Sequence, residues 1–220
     1  MKKALLVCVL LGLILTVPSR TPAQEKQGDR VALPAPAREG GMPLQEALGR
    51  RRSVREFAAA PLSERELGQL LWAAQGANRS DGRRTAPSAG ALYPLELYVA
   101  TPNGFFYYDP RRHQLERRSA GDLRMAISRA ALGQKQVAEA PAVFLFSGVI
   151  ERTSKRYGER APRYVYMEVG HAAQNLLLQA VALNLGGVPV GAFDDTQLQQ
   201  AAGLPADHRP LYLVPVGRPR

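Results

Sequence analysis

The longest predicted element of this chain is a helix over residues 162–185, and it constrains the fold more than any other segment. Its apolar side chains, Val165 and Leu176 among them, fall on several faces of the helix. The helix is predicted to end at Gly186-Gly187, because glycine is common just after a helix C-terminus. A long helix that is apolar on several faces is typical of the middle of a core or of an oligomer interface.

Shorter helices and strands surround this helix. Ser63 and Glu66 have the spacing of a capping box and predict a helix start, which Leu67 and Leu70 continue at helical spacing. Further predictions are helices at 44–51, 122–132 and 195–202, strands at 95–100, 105–108, 142–150 and 210–216, a hairpin turn at 102–104, and a strand or extended loop at 188–193. Because hairpins interrupt the alternation of helices and strands, the pattern favours an α+β fold over a doubly wound sheet.

The first 23 residues have the composition of a secretory signal peptide. Lys2 and Lys3 precede an uncharged apolar stretch at 4–17, and small residues stand before a cut at Gln24. The apolar stretch is shorter than the roughly 20 residues that a membrane helix needs, so a cleaved signal is favoured over a retained anchor. We therefore expect an exported bacterial protein, periplasmic or extracellular, with no stable membrane span after cleavage.

Residues 24–41 are rich in proline, glycine and charge and are predicted as a flexible linker, which leaves residues 42–220 as the folded domain. Signal cleavage would remove Cys8, the only cysteine of the chain. No disulfide, thiolate nucleophile or cysteine metal site is then expected. The three histidines are not at ligand spacing, which argues against a metal centre.

The chain is basic, with a formal net charge of +10. Cleavage would remove Lys2, Lys3 and Arg20, which lowers the charge to about +7. A basic domain can bind nucleic acid, but here the arginines stand in short separate runs without regularly interleaved aromatic residues. No zinc-finger, RNP or helix-turn-helix pattern accompanies them, so a generally basic exported domain is favoured and no nucleic-acid partner is expected.

Arginines are concentrated at residues 50–55, directly after a predicted helix. Guanidinium groups packed this tightly repel one another unless an anion lies among them. A phosphate suits them because each planar guanidinium can bind two oxygens, and Ser53 can donate a further hydrogen bond. One phosphomonoester would satisfy this arginine cluster, whereas the alternative is a solvated basic surface.

Two loops carry almost no polar side chains. The PSAG loop, residues 87–94 (PSAGALYP), runs into a predicted strand, and a flat ligand could lie against its backbone N–H groups. The GG loop, residues 186–193 (GGVPVGAF), likewise offers backbone amides, which suit the edge of a planar heterocycle. Each loop also has a structural interpretation, as a turn before a strand and as a helix end that leads into a buried strand.

In their order along the chain, five motifs resemble those of the nitroreductase-like flavoproteins and, within them, the SagB/ThcOx-type dehydrogenases. The motifs are RRSVR at 51–55, residues 87–99, MEVGHAAQNL at 167–176, residues 186–193 and LVPVGRP at 213–219. The resemblance spans about residues 43–218. It implies an α+β fold with a mostly antiparallel central sheet flanked by helices, a long core helix, and a homodimer with FMN bound between its subunits.

The resemblance also implies, position by position, which residues would hold FMN. The arginine cluster would bind the anionic end of the cofactor. The two loops would lie on either side of its isoalloxazine ring, with a backbone amide near the ring nitrogen that accepts hydride. The phosphate and ribityl chain would be held by Arg51, Arg52, Ser53, Arg55 and Arg218, one side of the ring by Pro87, Ser88, Ala89 and Gly90, and its other side by Val188, Pro189, Val190 and Gly191.

The cofactor would carry the chemistry, so the expected activity is hydride transfer between a donor and a small-molecule or peptide acceptor. Tyr157 and His171 are the candidate catalytic residues, and for His171 a buried core position is the alternative. Arg156 stands where many SagB-like chains have lysine, and arginine does not release its proton near neutral pH. A non-catalytic exported flavin-binding or interaction protein with the same fold is the alternative function.

Overall fold

The computed structural model describes residues 30–220, so the predicted signal peptide and Cys8 lie outside the described residues. Within residues 30–220, one sheet carries helices on both of its faces. The strands are β1 (Arg30–Ala32), β2 (Leu95–Thr101), β3 (Gly104–Asp109), β4 (Gln114–Ser119), β5 (Ala142–Gly148), β6 (Gly186–Gly187) and β7 (Arg209–Gly217). The helices are α1 (Leu44–Arg50), α2 (Glu64–Gln75), α3 (Arg124–Ala130), α4 (Lys135–Glu139), α5 (Ile150–Tyr157), α6 (Ala161–Ala182) and α7 (Asp195–Ala201).

The strands follow the order β1-β4-β3-β2-β5-β7-β6, and every neighbouring pair is antiparallel. The predicted turn at 102–104 closes the hairpin between β2 and β3, where Thr101 lies opposite Gly104. The central strands β2 and β5 are buried along their whole length. The expectation of an α+β fold with a mostly antiparallel sheet is therefore confirmed.

Two separate cores hold the helices against the sheet. Because side chains of a strand alternate between its faces, Leu97 and Val99 of β2 pack with α2 and α6, whereas Tyr98 and Ala100 pack with α3, α4 and α7. Full burial of one large apolar side chain contributes about 1.5–3 kcal/mol relative to exposure. These contacts fix α6 against the middle of the sheet.

Helix α6 is 22 residues long and begins and ends close to the predicted positions. Val165, Val169 and Ala172 lie on its buried face at helical spacing. On the opposite face, Tyr166 and Met167 are 50% and 55% exposed. One face of the helix therefore belongs to the core and the other is open. No helix within residues 30–220 is long and apolar enough to span a bilayer.

The described part of the predicted flexible linker, residues 30–41, is attached to the domain. Strand β1 pairs with β4, with Val31 opposite Leu115, and Leu33 is buried in the core. The Ala37 amide donates to Gln69 Oε1 at 2.8 Å, and Gln69 Nε2 donates back to the Ala37 carbonyl at 3.1 Å. Composition suggested a linker because it does not reveal main-chain pairing with a distant strand. The domain therefore includes this segment.

Candidate functional site

The arginine cluster lies directly against the GG loop. Ser53 and Gly187 form a parallel bridge, and the Val54 amide donates to the Gly187 carbonyl at 3.1 Å. A Cβ atom on Gly186 would lie 2.5 Å from Val54 Cγ2, a distance that real Cβ atoms do not adopt. The two segments can approach this closely because residue 186 has no side chain.

A cavity of about 570 Å³ opens beside this junction. Its lining includes Arg50, Arg51, Arg52, Val181, Asn184 and Pro219. Arg50 forms an ion pair with Glu46. Within residues 30–220, no hydrogen bond or ion pair holds the side chains of Arg51 and Arg52. Their guanidinium groups are therefore available to an anion. Ser53 and Arg55 are exposed and lie outside the lining of the cavity.

Arg218 is engaged by protein groups. Its guanidinium donates to Glu66 Oε1 at 2.7 Å and to the Pro61 carbonyl at 3.2 Å. Glu66 also accepts the amide of Ser63 at 2.7 Å, at the start of α2. Arg218 thus connects the end of the chain to the start of α2, and it would have to leave this carboxylate in order to bind a phosphate.

The GG loop continues along β7 as an extended loop with one isolated bridge, between Val190 and Leu213. The Val188 amide donates to the Pro215 carbonyl at 3.3 Å, and the Val190 amide donates to the Leu213 carbonyl at 2.8 Å. Because β7 occupies these two amides, they do not face a ligand in this arrangement. Pro189 is half-buried and Gly191 is exposed, so among residues 188–191 these two offer the accessible surface.

The PSAG loop has an unusual backbone conformation. Gly90, Ala91 and Tyr93 have φ angles of 61°, 54° and 47°, in the left-handed region. For a residue with a side chain, this conformation costs on the order of 1–3 kcal/mol and persists where its surroundings hold it. Ser88 Oγ accepts the Tyr93 amide at 2.9 Å, and Arg152 Nη1 donates to the Tyr93 carbonyl at 2.6 Å. Such held strain is common at ligand sites.

Helix α5 places Arg156 and Tyr157 over the PSAG loop. A Cβ atom on Gly90 would lie 3.0 Å from both the Tyr157 hydroxyl and Arg156 Nη1. The Tyr157 ring packs edge-on against Tyr164, with ring centroids 4.9 Å apart. Tyr157 therefore adjoins the PSAG loop at Gly90, which follows Pro87, Ser88 and Ala89 in the sequence.

His171 is exposed on α6. The alternative that it is a buried core histidine is therefore wrong. An apolar helix suggested burial, but position 171 lies on the face of α6 that the sheet and α2 leave uncovered. The structure brings it into none of the hydrogen bonds that organise the PSAG loop.

A buried carboxyl group lies under the PSAG loop. Glu168 is 3% exposed, and its Oε1 atom has no hydrogen-bond partner within residues 30–220. Burial raises the pKa of this carboxyl to about 7, against the opposing effects of the Ser88 hydroxyl, Arg84 and Arg152. The motif at 167–176 does not by itself identify Glu168 as a site residue. The spacing of Glu168 from Val165 and Ala172 places it on the buried face of α6.

The two halves of the expected cofactor site lie apart within one chain. Glu168 contacts Ser88 of the PSAG loop, and Val181 lines the arginine cavity. Both residues belong to α6, and the helical rise over the 13 residues from 168 to 181 corresponds to about 20 Å. The structure thus places the arginine cluster against the GG loop, and Tyr157 against the PSAG loop. Within one chain these two parts of the expected site do not contact each other.

Residues 48–218 match the sequence profile of the Nitroreductase family. A candidate nitroreductase of Methanocaldococcus jannaschii is 44% identical over 181 residues, which are 80% of this chain and 90% of that protein. The trifolitoxin operon protein TfxC of Rhizobium leguminosarum bv. trifolii is 26% identical over 217 residues, which are 88% of this chain and 61% of that protein.

Solved structures resemble this chain over most of its length. A candidate nitroreductase from Ralstonia eutropha has a TM-score of 0.81 at 36% identity, over 87% of this chain and 90% of that chain. NADPH:FMN oxidoreductase from Vibrio harveyi, solved with NAD+, has a TM-score of 0.61 at 21% identity, over 80% of this chain and 68% of that chain. The first similarity confirms the nitroreductase-like fold, and the second bears on the fold alone.

Proposed function

Because the chain belongs to the nitroreductase family, we propose that it is an FMN-dependent oxidoreductase that passes hydride between a donor and a small-molecule or peptide acceptor. The observation that carries this proposal is the junction of the arginine cluster with the GG loop, beside a cavity of about 570 Å³. Arg51 and Arg52 present guanidinium groups there that lack an anionic partner within residues 30–220. A phosphate would supply that partner.

We propose further that the chain belongs to the SagB/ThcOx-type branch of the family. Its support is the order of the five sequence motifs, together with the similarity to the trifolitoxin operon protein. Export to the periplasm or beyond is a further part and is supported by the N-terminal sequence.

When bound, FMN supplies the two-electron chemistry, so the task of the protein is to bind, orient and shield it. Arg51, Arg52 and the nearby Ser53 would bind the phosphate. The PSAG loop would present its backbone, because its positions 88–90 carry small side chains or none. The Tyr157 hydroxyl, next to Gly90, would orient an acceptor. Because an arginine side chain is a cation and not a general base, Arg156 would hold a negative charge there.

We propose further that a second copy of the chain completes the site. Within one chain the arginine cavity and the PSAG loop are about 20 Å apart along α6. The open face of α6 carries Tyr166 and Met167, and α1 exposes Leu44 and Leu48. Exposed apolar side chains on two adjacent helices are typical of an interface. Two-fold pairing through these helices would bring the PSAG loop of one subunit towards the arginine cavity of its partner.

An absorption spectrum of the purified full chain tests the proposal. The expected protein is yellow, releases FMN on denaturation, bleaches with a reductant and regains its colour with a nitroaromatic or quinone acceptor. A colourless protein that takes up no added FMN would overturn the proposal. A protein that binds FMN, but that no natural donor reduces and no acceptor reoxidises, would support the non-catalytic flavin-binding alternative.

A further inference from the structure

A second cavity, of about 700 Å³, borders the PSAG loop at Ala91 and Tyr93. It is distinct from the arginine cavity at the other end of α6, and it is lined by two other segments, residues 77–84 and the turn between β3 and β4. Its charged lining residues are Arg79, Asp81, Arg83, Arg84 and Arg111. Four cations against one anion give this second cavity a strongly positive lining.

A closed turn holds the lining arginines in place. Ala77 and Arg84 form an antiparallel bridge that closes residues 77–84. Asp81 accepts the Arg83 amide at 3.1 Å and forms an ion pair with its guanidinium at 3.4 Å. The single acidic residue of the cavity is therefore committed to one of the four arginines.

Arg111, in the turn between β3 and β4, is also held by an aspartate that accepts its backbone amide. Asp109 Oδ1 accepts the Arg111 amide at 2.9 Å, which orders the backbone of the turn after β3. The side chains of Arg111 and Arg79 have no hydrogen-bond or ion-pair partner within residues 30–220. Two turns that are distant in sequence thus direct unpaired cations into one cavity.

Arg84 is the most enclosed cation of the cavity. Its guanidinium donates to Gln75 Oε1 at 2.9 Å and to the Leu95 carbonyl at 3.3 Å, and it lies 4.8 Å from the centroid of the Tyr93 ring. These partners are neutral, and no carboxylate within residues 30–220 lies at ion-pair distance from it. Glu96 and Glu168 act on it only at longer range, and burial lowers its pKa from the usual value. A partly buried cation without a direct counter-ion is stabilised by an anion beside it.

We propose that this second cavity binds the anionic group, a carboxylate or a phosphate ester, of a small-molecule substrate. Planar guanidinium groups bind both kinds of group through paired hydrogen bonds. A substrate anchored there would extend along Ala91 and Tyr93 towards the part of the PSAG loop that faces Tyr157. The assignment of the bound molecule as a substrate rests on the proposed function, whereas the anion site itself does not.

Calorimetric titration of the purified full chain tests the anion site directly. The probes are 4-nitrobenzoate, 4-nitrophenyl phosphate and the neutral 4-nitrobenzamide. The test variant Arg79→Gln/Arg111→Gln removes two unpaired cations from the cavity. The control variant Arg129→Gln/Arg209→Gln removes two exposed cations elsewhere and changes the net charge equally.

We expect at least one anionic probe to bind the unmodified protein more tightly than 4-nitrobenzamide. Its Kd should rise about tenfold or more in the test variant, because charge-assisted hydrogen bonds are lost, and should stay within about twofold in the control. A preference for 4-nitrobenzoate or for 4-nitrophenyl phosphate identifies the group as carboxylate or phosphate. Failure of both anions to bind, or equal weakening in the two variants, would overturn the proposal.

Calorimetry needs no turnover, so it separates this proposal from the flavin function. If the protein is a working oxidoreductase, the test variant should also raise KM for 4-nitrobenzoate relative to 4-nitrobenzamide. A colourless protein that still binds the anions through Arg79 and Arg111 would retain the anion site and lose the proposed redox function. A yellow protein that binds neither anion would retain the proposed flavin function and overturn the anion site.

Discussion

Glu168 connects the core of the molecule to the PSAG loop. It lies on the buried face of α6, contacts Ser88, and has one oxygen without a partner within residues 30–220. The nearby Arg152 is committed to Glu96, whose Oε1 atom lies 2.6 Å from Arg152 Nη2. With no direct counter-ion, the neutral carboxyl group is favoured over the carboxylate up to near-neutral pH.

The contribution of Glu168 to stability should therefore fall as the pH rises from about 4.5 to about 7. In this interval Glu168 of the unfolded chain has released its proton, whereas in the folded chain it keeps the proton. Its contribution to the free energy of unfolding decreases with pH, by up to about 3 kcal/mol, and becomes constant above the folded-state pKa. Burial lowers the pKa of His113 and His208 and acts in the opposite direction, so the decrease is measured as the difference from Glu168→Gln. Urea denaturation at pH 5 and pH 8 measures this, and Glu168→Gln should lose the decrease. Equal pH dependence in both proteins would contradict the assignment.

The arginine cluster gives a second prediction for single residues. Arg51→Ala or Arg52→Ala should raise the Kd for FMN about tenfold or more, because a charge-assisted contact to phosphate is lost. Arg129→Ala, on α3, removes an exposed charge outside the arginine cavity and should leave the Kd unchanged. Fluorescence titration of the flavin-free protein with FMN measures both. Unchanged affinity in both cluster variants would refute the phosphate assignment.

Helix α2 shows what a local motif can specify. The predicted capping box is present: Glu66 donates its amide to Ser63 Oγ at 3.3 Å, and the Ser63 amide donates to Glu66 Oε2 at 2.7 Å. The partners lie three residues apart, so their pairing depends on little beyond the local chain. Gly76 follows the last helical residue, as its position in the sequence indicates.

Loss of this cap should destabilise the whole domain. Ser63→Ala removes the oxygen that accepts an otherwise unpaired helix amide, and we expect the free energy of unfolding to fall by about 1 kcal/mol. Ser80→Ala, at an exposed turn, is the matched control and should change it little. Urea denaturation followed by circular dichroism compares the two. If both serines gave the same small effect, the capping box would contribute nothing to stability.

Elements without a local signal were not predictable in the same way. Helix α5 (IERTSKRY) and strand β4 (QLERRS) consist mostly of polar residues and contain few apolar ones, and β1 exists through its pairing with β4. The same distinction holds for the candidate site. The arginine cluster and the two loops could be predicted from residue type. The roles of Glu168 and Arg84 could not, because they depend on burial by segments that are distant in sequence.

At the scale of the whole molecule, α6 determines how a complete site can form. Its buried face attaches it to the sheet, its length separates the arginine cavity from the PSAG loop, and its open face carries apolar side chains. A second copy that packs on the open face would cover these apolar side chains. It would also bring its PSAG loop closer to the arginine cavity of the first copy than the two lie within one chain. Dimerisation and cofactor binding should therefore be linked, since FMN that binds only the completed site stabilises the dimer.

Met167→Asp tests this linkage. A charge at the centre of the proposed interface should dissociate the dimer, because burial of an unpaired carboxylate is unfavourable. The matched control is Met125→Asp on α3, since both methionines are 55% exposed and Met125 lies on the opposite face of the sheet. Light scattering with chromatography gives the mass, and the flavin absorbance of each peak gives its FMN content. We expect Met167→Asp to be monomeric and nearly colourless, and Met125→Asp to be dimeric and yellow. A monomeric unmodified protein with a full complement of FMN would disprove the shared site.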